Sequence, residues 1–460
     1  MKNRIISSGS KFSYYVLFLL IIFSDTPFSQ SSEKIAAFGS SVCFGSGDHF
    51  NKGGYIGRFK ELMKKYGWEV VNVSRPGDNT TTINERWQKT DQTPSRPVKD
   101  DQYLLNQKPG YVIIGLSLNN EGIRNVPEDK QDSIVEKFNI GLLKIIEECR
   151  AEGFRVIVSN CYANGLFSEK QYKLTKRMNL IINSWNLPSI NLLGTLDDGH
   201  GRWPKGFNYD DIHPSGGGHR EMHYAIVPTL FDALKSGKPV PKFIKSAKYA
   251  SITDSKNAAF SFSPDDTIHS FAVSFLVRNH GNCIPAEIRG RKAVLTETEF
   301  KVKQLSKKGL VLSASSEINR GIIEINNNEL IYNSGNNQIS KYKIDKDKWH
   351  RITLSHCPAS GETLLYLDSL LVGKAFERII PNKFLLGISG KADYKDILIY
   401  RSSLNTDEVK TLVDGNIIQS SLEIYSPLND ENILKISELK NLAQSMSIMK
   451  TGWKIKQDTH

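Results

Sequence analysis

Cysteines and hydrophobic runs are both scarce in this sequence, and each scarcity excludes a class of protein. Only five cysteines occur in 460 residues, without paired spacing, which excludes a small disulfide-rich scaffold. We expect Cys43, Cys149 and Cys161 to be buried as small hydrophobic side chains, while a bridge between Cys283 and Cys357 stays open. After residue 30, no apolar stretch approaches the ~20 residues of a transmembrane helix, so we expect no stable membrane insertion.

Dense basic clusters are also missing, although the formal net charge is +11. No run of lysine and arginine reaches the density of a nucleic-acid-binding patch, so we expect no nucleic acid partner. Positive charge still favours acidic partners. If the protein is exported, as the N-terminal segment described next predicts, anionic polysaccharide is a partner that it would meet. A solvated basic surface without a ligand is the simpler interpretation.

The first thirty residues have the layout of a secretory signal peptide. Its basic start contains Lys2, Arg4 and Lys11. An apolar run at residues 14–23 follows, and then a short, mostly polar segment at residues 24–30. The apolar run is too short to span a bilayer. We expect cleavage of residues 1–30 and a secreted or periplasmic protein; a retained membrane anchor is the alternative.

From residue 31 to 236, short apolar runs rich in Val, Ile and Leu alternate with helical patterns. Apolar runs without polar alternation are typical of strands buried on both faces, and strand–helix repetition indicates a parallel sheet. The predicted strands are 34–42, 69–73, 111–118, 155–161 and 189–193, and the predicted helices include 55–66, 133–152 and 170–185. The sequence therefore predicts a three-layer α/β domain.

Residues 237–246 are predicted as a linker, because Gly237, Pro239 and Pro241 interrupt regular structure. Many short strands follow without helices between them, which predicts an all-β sandwich over residues 247–415. Those strands are predicted at 271–277, 310–313, 322–325, 350–354, 364–367 and 397–400. One helix is expected at Thr406–Val413, with Asn405 as its N-cap. Residues 416–460 form a C-terminal extension that begins with a strand at 421–426 and could pack on either domain.

A serine follows the first predicted strand, in the segment Gly39-Ser40-Ser41. Side chains directly after a parallel strand lie at the carboxyl edge of the sheet, where open α/β sheets bind ligands. Small neighbours let a substrate carbonyl approach the Ser41 hydroxyl. An ordinary polar turn is the alternative, because serine and glycine are common in turns.

A carboxylate and an imidazole lie three residues apart, at Asp210 and His213. A hydroxyl becomes nucleophilic when an imidazole takes its proton and a carboxylate orients that imidazole. These two residues could serve Ser41 in this way, provided that its hydroxyl comes within about 3 Å of a His213 ring nitrogen. A polar turn ended by Pro214 is the alternative.

Two further loops bring small or amide-bearing residues to the same edge. Gly77 follows the second predicted strand, and Asn119 and Asn120 follow the third. The backbone N–H of Gly77 and the side-chain amide of Asn120 could point at the negative charge that develops on an ester carbonyl. For each residue, a loop cap is the alternative.

Together these loops resemble the four blocks of the SGNH (GDSL-type) hydrolase family, named for a serine, a glycine, an asparagine and a histidine. The resemblance covers about residues 34–236 and implies a flavodoxin-like fold and serine ester hydrolysis. It implies Ser41 as the nucleophile, with Asp210 and His213 as its partners. The oxyanion would be held by Ser41, Gly77 and Asn120. No cofactor and no metal are expected at this site.

Three positions depart from the family pattern. Ser40 stands where an aspartate usually precedes the nucleophile, Leu118 replaces a usual glycine, and Glu121 stands where aspartate is common. Asn119 therefore remains an alternative to Asn120 as the oxyanion donor. None of these departures changes the serine, histidine and aspartate set.

The second domain resembles the concanavalin A-like (laminin-G-like) jelly roll, through residues 348–354, 364–369, 396–400 and 404–409. Such domains often bind carbohydrate, sometimes with calcium, so a carbohydrate substrate is expected and calcium stays open. The sequence then predicts a secreted esterase that removes acyl groups, in the first place acetyl, from a carbohydrate. A lipid or thioester hydrolase, and a carbohydrate-binding protein with an inactive hydrolase scaffold, are the alternatives.

His219 and His223 lie four residues apart on a predicted helix and could bind a metal. A third ligand is not evident in the sequence. We therefore expect an ordinary pair on a helix surface.

Overall fold

A computed structural model describes residues 33–245, 247–253, 258–335, 337–429 and 436–452. The predicted signal segment, residues 1–30, lies outside these ranges, so the expected secretion stays a prediction. Among the helices of the described ranges, none combines the length and the apolar character needed to cross a bilayer.

Five parallel strands form the sheet of the first domain. They are β1 (Lys34–Gly39), β2 (Glu69–Asn72), β3 (Tyr111–Gly115), β4 (Arg155–Ser159) and β5 (Ser189–Ile190). Their order is β2-β1-β3-β4-β5, which is the flavodoxin-like order with its switch point between β1 and β3. The α/β prediction is confirmed, although every strand ends earlier than predicted because the chain turns away at the carboxyl edge.

Helices cover both faces of this sheet. They are α1 (Ser41–Phe44), α2 (Gly54–Met63), α3 (Leu118–Glu121), α4 (Gln131–Ala151), α5 (Glu169–Ser184), α6 (Gly216–Tyr224) and α7 (Leu230–Lys235). Alternate residues of β1 enter two separate cores. Ile35 and Ala37 pack with α2, α6 and α7, whereas Ala36 and Phe38 pack with α4 and α5. This is the predicted three-layer arrangement.

The rest of the chain forms an antiparallel β-sandwich with one helix among the described residues, as predicted. Its elements are β6 (Ala250–Ile252), β7 (Phe260–Phe262), β8 (Phe271–Val302), β9 (Leu305–Asn326), β10 (Glu329–Ser334), β11 (Asn337–Lys343), β12 (Trp349–Cys357), β13 (Glu362–Leu367), β14 (Leu370–Phe376), β15 (Ile379–Tyr400), α8 (Thr406–Val413), β16 (Leu422–Ser426), β17 (Glu438–Leu439) and β18 (Met449–Thr451). Helix α8 begins where expected, since the Asn405 side chain accepts hydrogen bonds from the N–H groups of Asp407 and Glu408.

Two features of the β-sandwich correct the sequence-based expectations. β8 and β9 are single strands of 32 and 22 residues, not the short strands predicted at 271–277, 310–313 and 322–325. They pair with each other along most of their length, and β-bulges shift the register at two places. Their outer ends form a hairpin. The bridge left open between Cys283 and Cys357 does not form, because the two thiols are buried in different cores. Cys43, Cys149 and Cys161 are buried, as expected.

The described residues from 33 to 452 belong to one compact unit. Ala293, Leu312 and Ile380 of the β-sandwich join the same buried cluster as α2, α6 and α7. Between α7 and β6, the described residues form no helix or strand, and Phe243 among them packs on the β-sandwich. The C-terminal extension touches both parts: β16 pairs with β15, while the Gln419 side chain donates hydrogen bonds to carbonyls of the α/β part.

Candidate active site

Ser41 is the first residue of α1 and directly follows β1 at the switch point of the sheet. Gly39 lies opposite Gly115 of β3, and a Cβ atom on Gly39 would approach the Gly115 carbonyl oxygen to 2.3 Å. The Cys43 side chain fills the space above both glycines. Glycine is therefore required at position 39 if β1 and β3 are to pair directly beneath the serine.

The loop after Ser41 is pressed against the turn that carries His213. Gly47 has a φ of +92°, and a Cβ atom there would lie 2.3 Å from the Pro214 carbonyl oxygen and 3.1 Å from the His213 Cβ. The buried carboxylate of Asp48 fixes this loop by accepting hydrogen bonds from Arg58 and from three backbone N–H groups. Only glycine at position 47 lets the two loops meet this closely.

Asp210 and His213 form a hydrogen-bonded pair. His213 Nδ1 lies 3.0 and 2.9 Å from the two carboxylate oxygens of Asp210. The same carboxylate accepts hydrogen bonds from the backbone N–H groups of Ile212 and His213, at 2.9 and 2.7 Å, so it also shapes the turn. Among the described residues, no group is bonded to His213 Nε2, which leaves that nitrogen available to accept a proton.

The surroundings of Asp210 keep it ionised. Partial burial acts to raise the pKa of this carboxyl. The hydrogen bonds from the His213 ring and from the backbone N–H groups outweigh burial and lower the pKa of Asp210 below its ordinary value. An ionised carboxylate on Nδ1 holds the imidazole in the tautomer that presents Nε2 as a base.

Ser41 Oγ and His213 are not joined by a hydrogen bond in the described structure. The 3 Å approach that the sequence hypothesis requires is therefore not made in the described structure. What the structure brings together is the loop of Ser41 and the turn of His213, while their roles stay predictions.

Asn120 faces the corner at Ser40 and Ser41. Its side-chain amide donates a hydrogen bond of 2.9 Å to Ser40 Oγ, and its carbonyl oxygen accepts one of 2.9 Å from Ser117 Oγ. A primary amide has two N–H donors, so one remains for a ligand. Neighbouring Asn119 makes no side-chain hydrogen bond among the described residues. The geometry thus favours Asn120 over Asn119 as the oxyanion donor.

Gly77 lies on an exposed turn with a φ of +83°, held from below by a buried carboxylate. Asp78 accepts hydrogen bonds from Arg75, Arg86 and Arg96 at 2.9, 2.7 and 2.6 Å. Arg96 also donates to the Pro76 carbonyl at 2.6 Å. The sequence analysis missed this cluster, because its arginines are spread over some twenty residues without a recognisable motif.

Glu121, one of the departures from the family pattern, ties the third loop to the second. Its carboxylate accepts hydrogen bonds from the backbone N–H and the hydroxyl of Thr80, at 3.0 and 2.9 Å, and an ion pair with Lys137 at 2.9 Å. Glutamate therefore fits this position as a structural link between two loops of the site.

A hairpin of the β-sandwich also reaches this site, which sequence analysis did not foresee. We call residues 293–314, the outer ends of β8 and β9, the arm. The Phe300 ring stacks between His49 and Tyr209, with ring centroids 4.3 and 5.2 Å away. His49 follows the Gly47 contact, and Tyr209 precedes Asp210, so the arm joins the two loops of the candidate site.

Backbone contacts hold the arm in place. The Tyr209 hydroxyl donates to the Lys301 carbonyl at 3.1 Å, and the Leu310 N–H donates to the Gly206 carbonyl at 2.7 Å. A Cβ atom on Gly217 would lie 1.8 Å from the Leu310 carbonyl oxygen, so the start of α6 touches the arm backbone. A further contact, between the His49 ring and the Thr298 hydroxyl at 3.3 Å, joins residues 249 positions apart, and no local sequence signal encodes it.

The expected surface pair His219 and His223 is not a surface pair. The His219 side chain is fully buried, its Nδ1 accepting from the Tyr55 N–H at 3.3 Å and its Nε2 donating to the Ser46 carbonyl at 2.9 Å. Burial lowers the pKa of His219 to about 4. His219 is buried because its helix packs on the apolar core under the Ser41 loop. Its hydrogen bond to Ser46 supports that loop. No cluster of three metal-binding side chains occurs among the described residues.

A model of the GDSL-like Lipase/Acylhydrolase family matches residues 37–221, the stretch that holds Ser41, Gly77, Asn120, Asp210 and His213. Residues 37–221 are a GDSL-like hydrolase domain. No match was found among curated proteins.

Several solved structures are similar to the GDSL-like domain. A catalytic mutant of an acetylxylan esterase from Geobacillus stearothermophilus is 17% identical, covers 43% of this chain and 93% of its own, and has a TM-score of 0.31. A GDSL-like lipase from Bacteroides thetaiotaomicron is 14% identical, with 45% and 89% covered and a TM-score of 0.32. A lipase from a goat rumen metagenome is 17% identical, with 41% and 93% covered and a TM-score of 0.33.

Proposed function

We propose that the protein is a secreted serine esterase that removes acyl groups, in the first place acetyl, from a carbohydrate. The observation that carries the proposal is the hydrogen-bonded pair of Asp210 and His213, whose turn packs on the loop of Ser41 in a GDSL-like domain. An available imidazole nitrogen, an orienting carboxylate and a hydroxyl on adjoining loops are the parts that acyl transfer needs.

In the first half-reaction, His213 Nε2 takes the proton of the Ser41 hydroxyl as Ser41 Oγ attacks the ester carbonyl. The backbone amides of Ser41 and Gly77 and the free N–H of the Asn120 amide bind the resulting oxyanion. His213 then gives its proton to the departing sugar oxygen. Collapse of the tetrahedral intermediate releases the alcohol and leaves the acyl group on Ser41.

In the second half-reaction, a water molecule enters the site vacated by the sugar. His213 takes a proton from this water as it attacks the acyl carbonyl. The second tetrahedral intermediate collapses, His213 returns the proton to Ser41 Oγ, and the carboxylic acid leaves. Asp210 stays ionised throughout and stabilises the imidazolium in both halves.

The proposal of a carbohydrate substrate is supported by the domain organisation of the chain. A β-sandwich resembling carbohydrate-binding jelly rolls is attached to the GDSL-like domain, and the N-terminal segment has the layout of an export signal. This support is by analogy of fold. Lipid or thioester substrates remain alternatives that the same mechanism would serve.

The experiment compares wild type with Ser41→Ala on a chromogenic acetyl ester and, in parallel, measures acetate release from acetylated polysaccharides. We expect Ser41→Ala to lose at least about a thousandfold in kcat, because the attacking oxygen is gone. Ser46→Ala, the same substitution in the same loop, should keep wild-type activity. Equal rates for wild type and Ser41→Ala would instead support a binding protein with an inactive scaffold.

A further inference from the structure

The arm ends in a basic tip beside the candidate active site. Residues 293–314 contain four lysines and two glutamates, and the turn at residues 303 and 304 closes the hairpin. Lys308 is paired with Glu297 at 2.6 Å. In contrast, Lys301, Lys303 and Lys307 make no ion pair with any described residue. Three unpaired ammonium groups are thus gathered within seven residues at the tip.

The position of these lysines follows from the strand register. Phe300 lies directly opposite Lys307, so the Lys307 side chain projects on the face of the hairpin that meets the GDSL-like domain. Lys301 is the residue whose carbonyl oxygen accepts from the Tyr209 hydroxyl, and Tyr209 immediately precedes Asp210. By the same register the Lys301 side chain projects on the opposite face, and Lys303 lies in the turn that closes the hairpin. The three lysines therefore surround the end of the arm, next to the contact with Tyr209.

The electrostatic repulsion between these lysines is a reason to look for a ligand at the arm tip. Three like charges close together repel one another, and no ion pair among the described residues neutralises them. The arm docks on the GDSL-like domain through Phe300, through apolar residues such as Leu312 and through its backbone, and none of these contacts uses a lysine side chain. The lysines are thus not needed for docking, whereas a negatively charged chain that passes around the end of the hairpin would meet both faces and the turn and could pair with all three.

We propose that the arm tip is a substrate-binding subsite, in which Lys301, Lys303 and Lys307 bind the acidic groups of an anionic polysaccharide whose ester lies at Ser41. This inference rests on the proposed function and adds the substrate class: an acylated polysaccharide that carries carboxylate or sulfate groups. The second domain thereby takes part in substrate selection through the arm, and Phe300 fixes the arm in register with the catalytic turn.

The test uses the full chain and a small chromogenic acetyl ester as the reporter. Soluble polygalacturonate and dextran sulfate, which carry no acyl ester, serve as inhibitors, with uncharged dextran as the neutral probe. We expect both polyanions to inhibit wild type and dextran not to inhibit. The triple variant Lys301→Gln, Lys303→Gln, Lys307→Gln should keep the small-ester rate and require about tenfold more polyanion for the same inhibition. Salt at about 0.5 M, well above physiological ionic strength, should remove most of this difference.

A second triple variant provides the matched control. Lys391→Gln, Lys410→Gln and Lys440→Gln remove the same charge from exposed positions outside the arm, and this protein should be inhibited like wild type. Equal inhibition of wild type and the arm variant, or equal loss in both triple variants, would overturn the proposal. If wild type does not hydrolyse the small ester, the proposed function fails. Binding of the polyanions, measured directly by calorimetry, then still decides whether the arm tip is a binding site.

Discussion

At the scale of single residues, the candidate site depends on how hydrogen-bond donors are shared. The Asn120 amide donates one N–H to the Ser40 hydroxyl and has a second N–H that can donate to a ligand. The Ser117 hydroxyl donates to the carbonyl oxygen of the same amide and fixes its orientation. Ser40, which stands where the family pattern has an aspartate, thus holds the amide beside Ser41. A hydroxyl is sufficient to hold the amide in place, so this departure from the family pattern leaves the arrangement of Asn120 intact.

Replacing each of the two neighbouring asparagines tests this arrangement. We expect Asn120→Ala to lower kcat for a chromogenic acetyl ester by about 10²–10³, because one oxyanion donor is lost, with little change in KM. Asn119→Ala should stay within about threefold of wild type. The two variants differ by one position on the same short helix, so each controls for the other. A larger loss in Asn119→Ala would assign the oxyanion to Asn119.

Ser41, Gly77 and Asn120 could be proposed from the sequence because each follows a strand that is visible as an apolar run. Asp210 and His213 could be proposed because a carboxylate and an imidazole lie three residues apart. What the sequence could not supply is their bonding. His219 was expected on a helix surface because no third metal ligand was evident in the sequence, yet the loop of Ser41 covers it completely. The cluster around Asp78 depends on three arginines meeting one buried carboxylate, and that meeting is a product of the fold.

At the scale of elements, local patterns predicted what is locally determined. The five parallel strands and helix α8 follow from apolar periodicity and from the cap at Asn405. The arm was missed because residues 296–308 are mostly polar and resemble a loop. These residues hold strand geometry by pairing with each other and by docking Phe300 on His49 and Tyr209, which lie far away in the sequence.

Removing the Phe300 ring tests whether the arm orders the turn of Asp210 and His213. The ring is almost fully buried between two loops, so we expect Phe300→Ala to lower the free energy of unfolding by about 3 kcal/mol. We also expect a fall of about tenfold in kcat for a small acetyl ester, because Tyr209 and the adjoining Asp210–His213 turn lose their support. Urea denaturation and steady-state kinetics measure the two effects.

Ile318→Ala is the control for Phe300→Ala, since Ile318 lies in β9, which pairs with the β8 strand of Phe300, but is 72% exposed. It should change stability by less than about 0.5 kcal/mol and leave kcat unchanged. Phe300→Leu, which keeps most of the volume, should recover much of the lost stability and activity. A destabilised Phe300→Ala protein with full kcat would show that the arm packs on the turn without ordering it.

At the scale of the whole molecule, the two predicted domains share buried contacts of both kinds. Apolar residues of the β-sandwich complete a core of the α/β part. Buried polar groups also cross between them: the Asn191 amide donates to Glu408 at 2.9 Å, and Ser420 donates to Asn183 at 2.8 Å. Either part alone would expose these groups, so we expect the GDSL-like domain to be less stable without the β-sandwich.

Each part also buries a neutral histidine, and the pair makes stability depend on pH. Burial lowers the pKa of both His219 and His356 to about 4. In the His219 ring one nitrogen accepts a hydrogen bond from the Tyr55 N–H, and in the His356 ring one accepts from the Ile379 N–H. Protonation of that nitrogen would break the hydrogen bond and place two N–H groups against each other. The folded protein therefore holds both imidazoles uncharged at pH values where an exposed histidine would be charged.

The direction of the pH effect follows from comparing the folded and unfolded states. An unfolded histidine takes up a proton below about pH 6.5, whereas these two stay neutral in the folded protein until about pH 4, so protons favour unfolding throughout that window. At pH 5 we expect a loss of about 2 kcal/mol for each histidine relative to pH 8. Urea denaturation of the full chain at the two pH values measures this. The raised pKa values of Asp197 and Glu408, about 6 and about 7, act in the opposite direction over the same window, so the comparison with a variant isolates the histidine effect. His356→Gln should lose about 2 kcal/mol less than wild type between the two pH values, and an equal change in both proteins would contradict the burial of His356 as a neutral group.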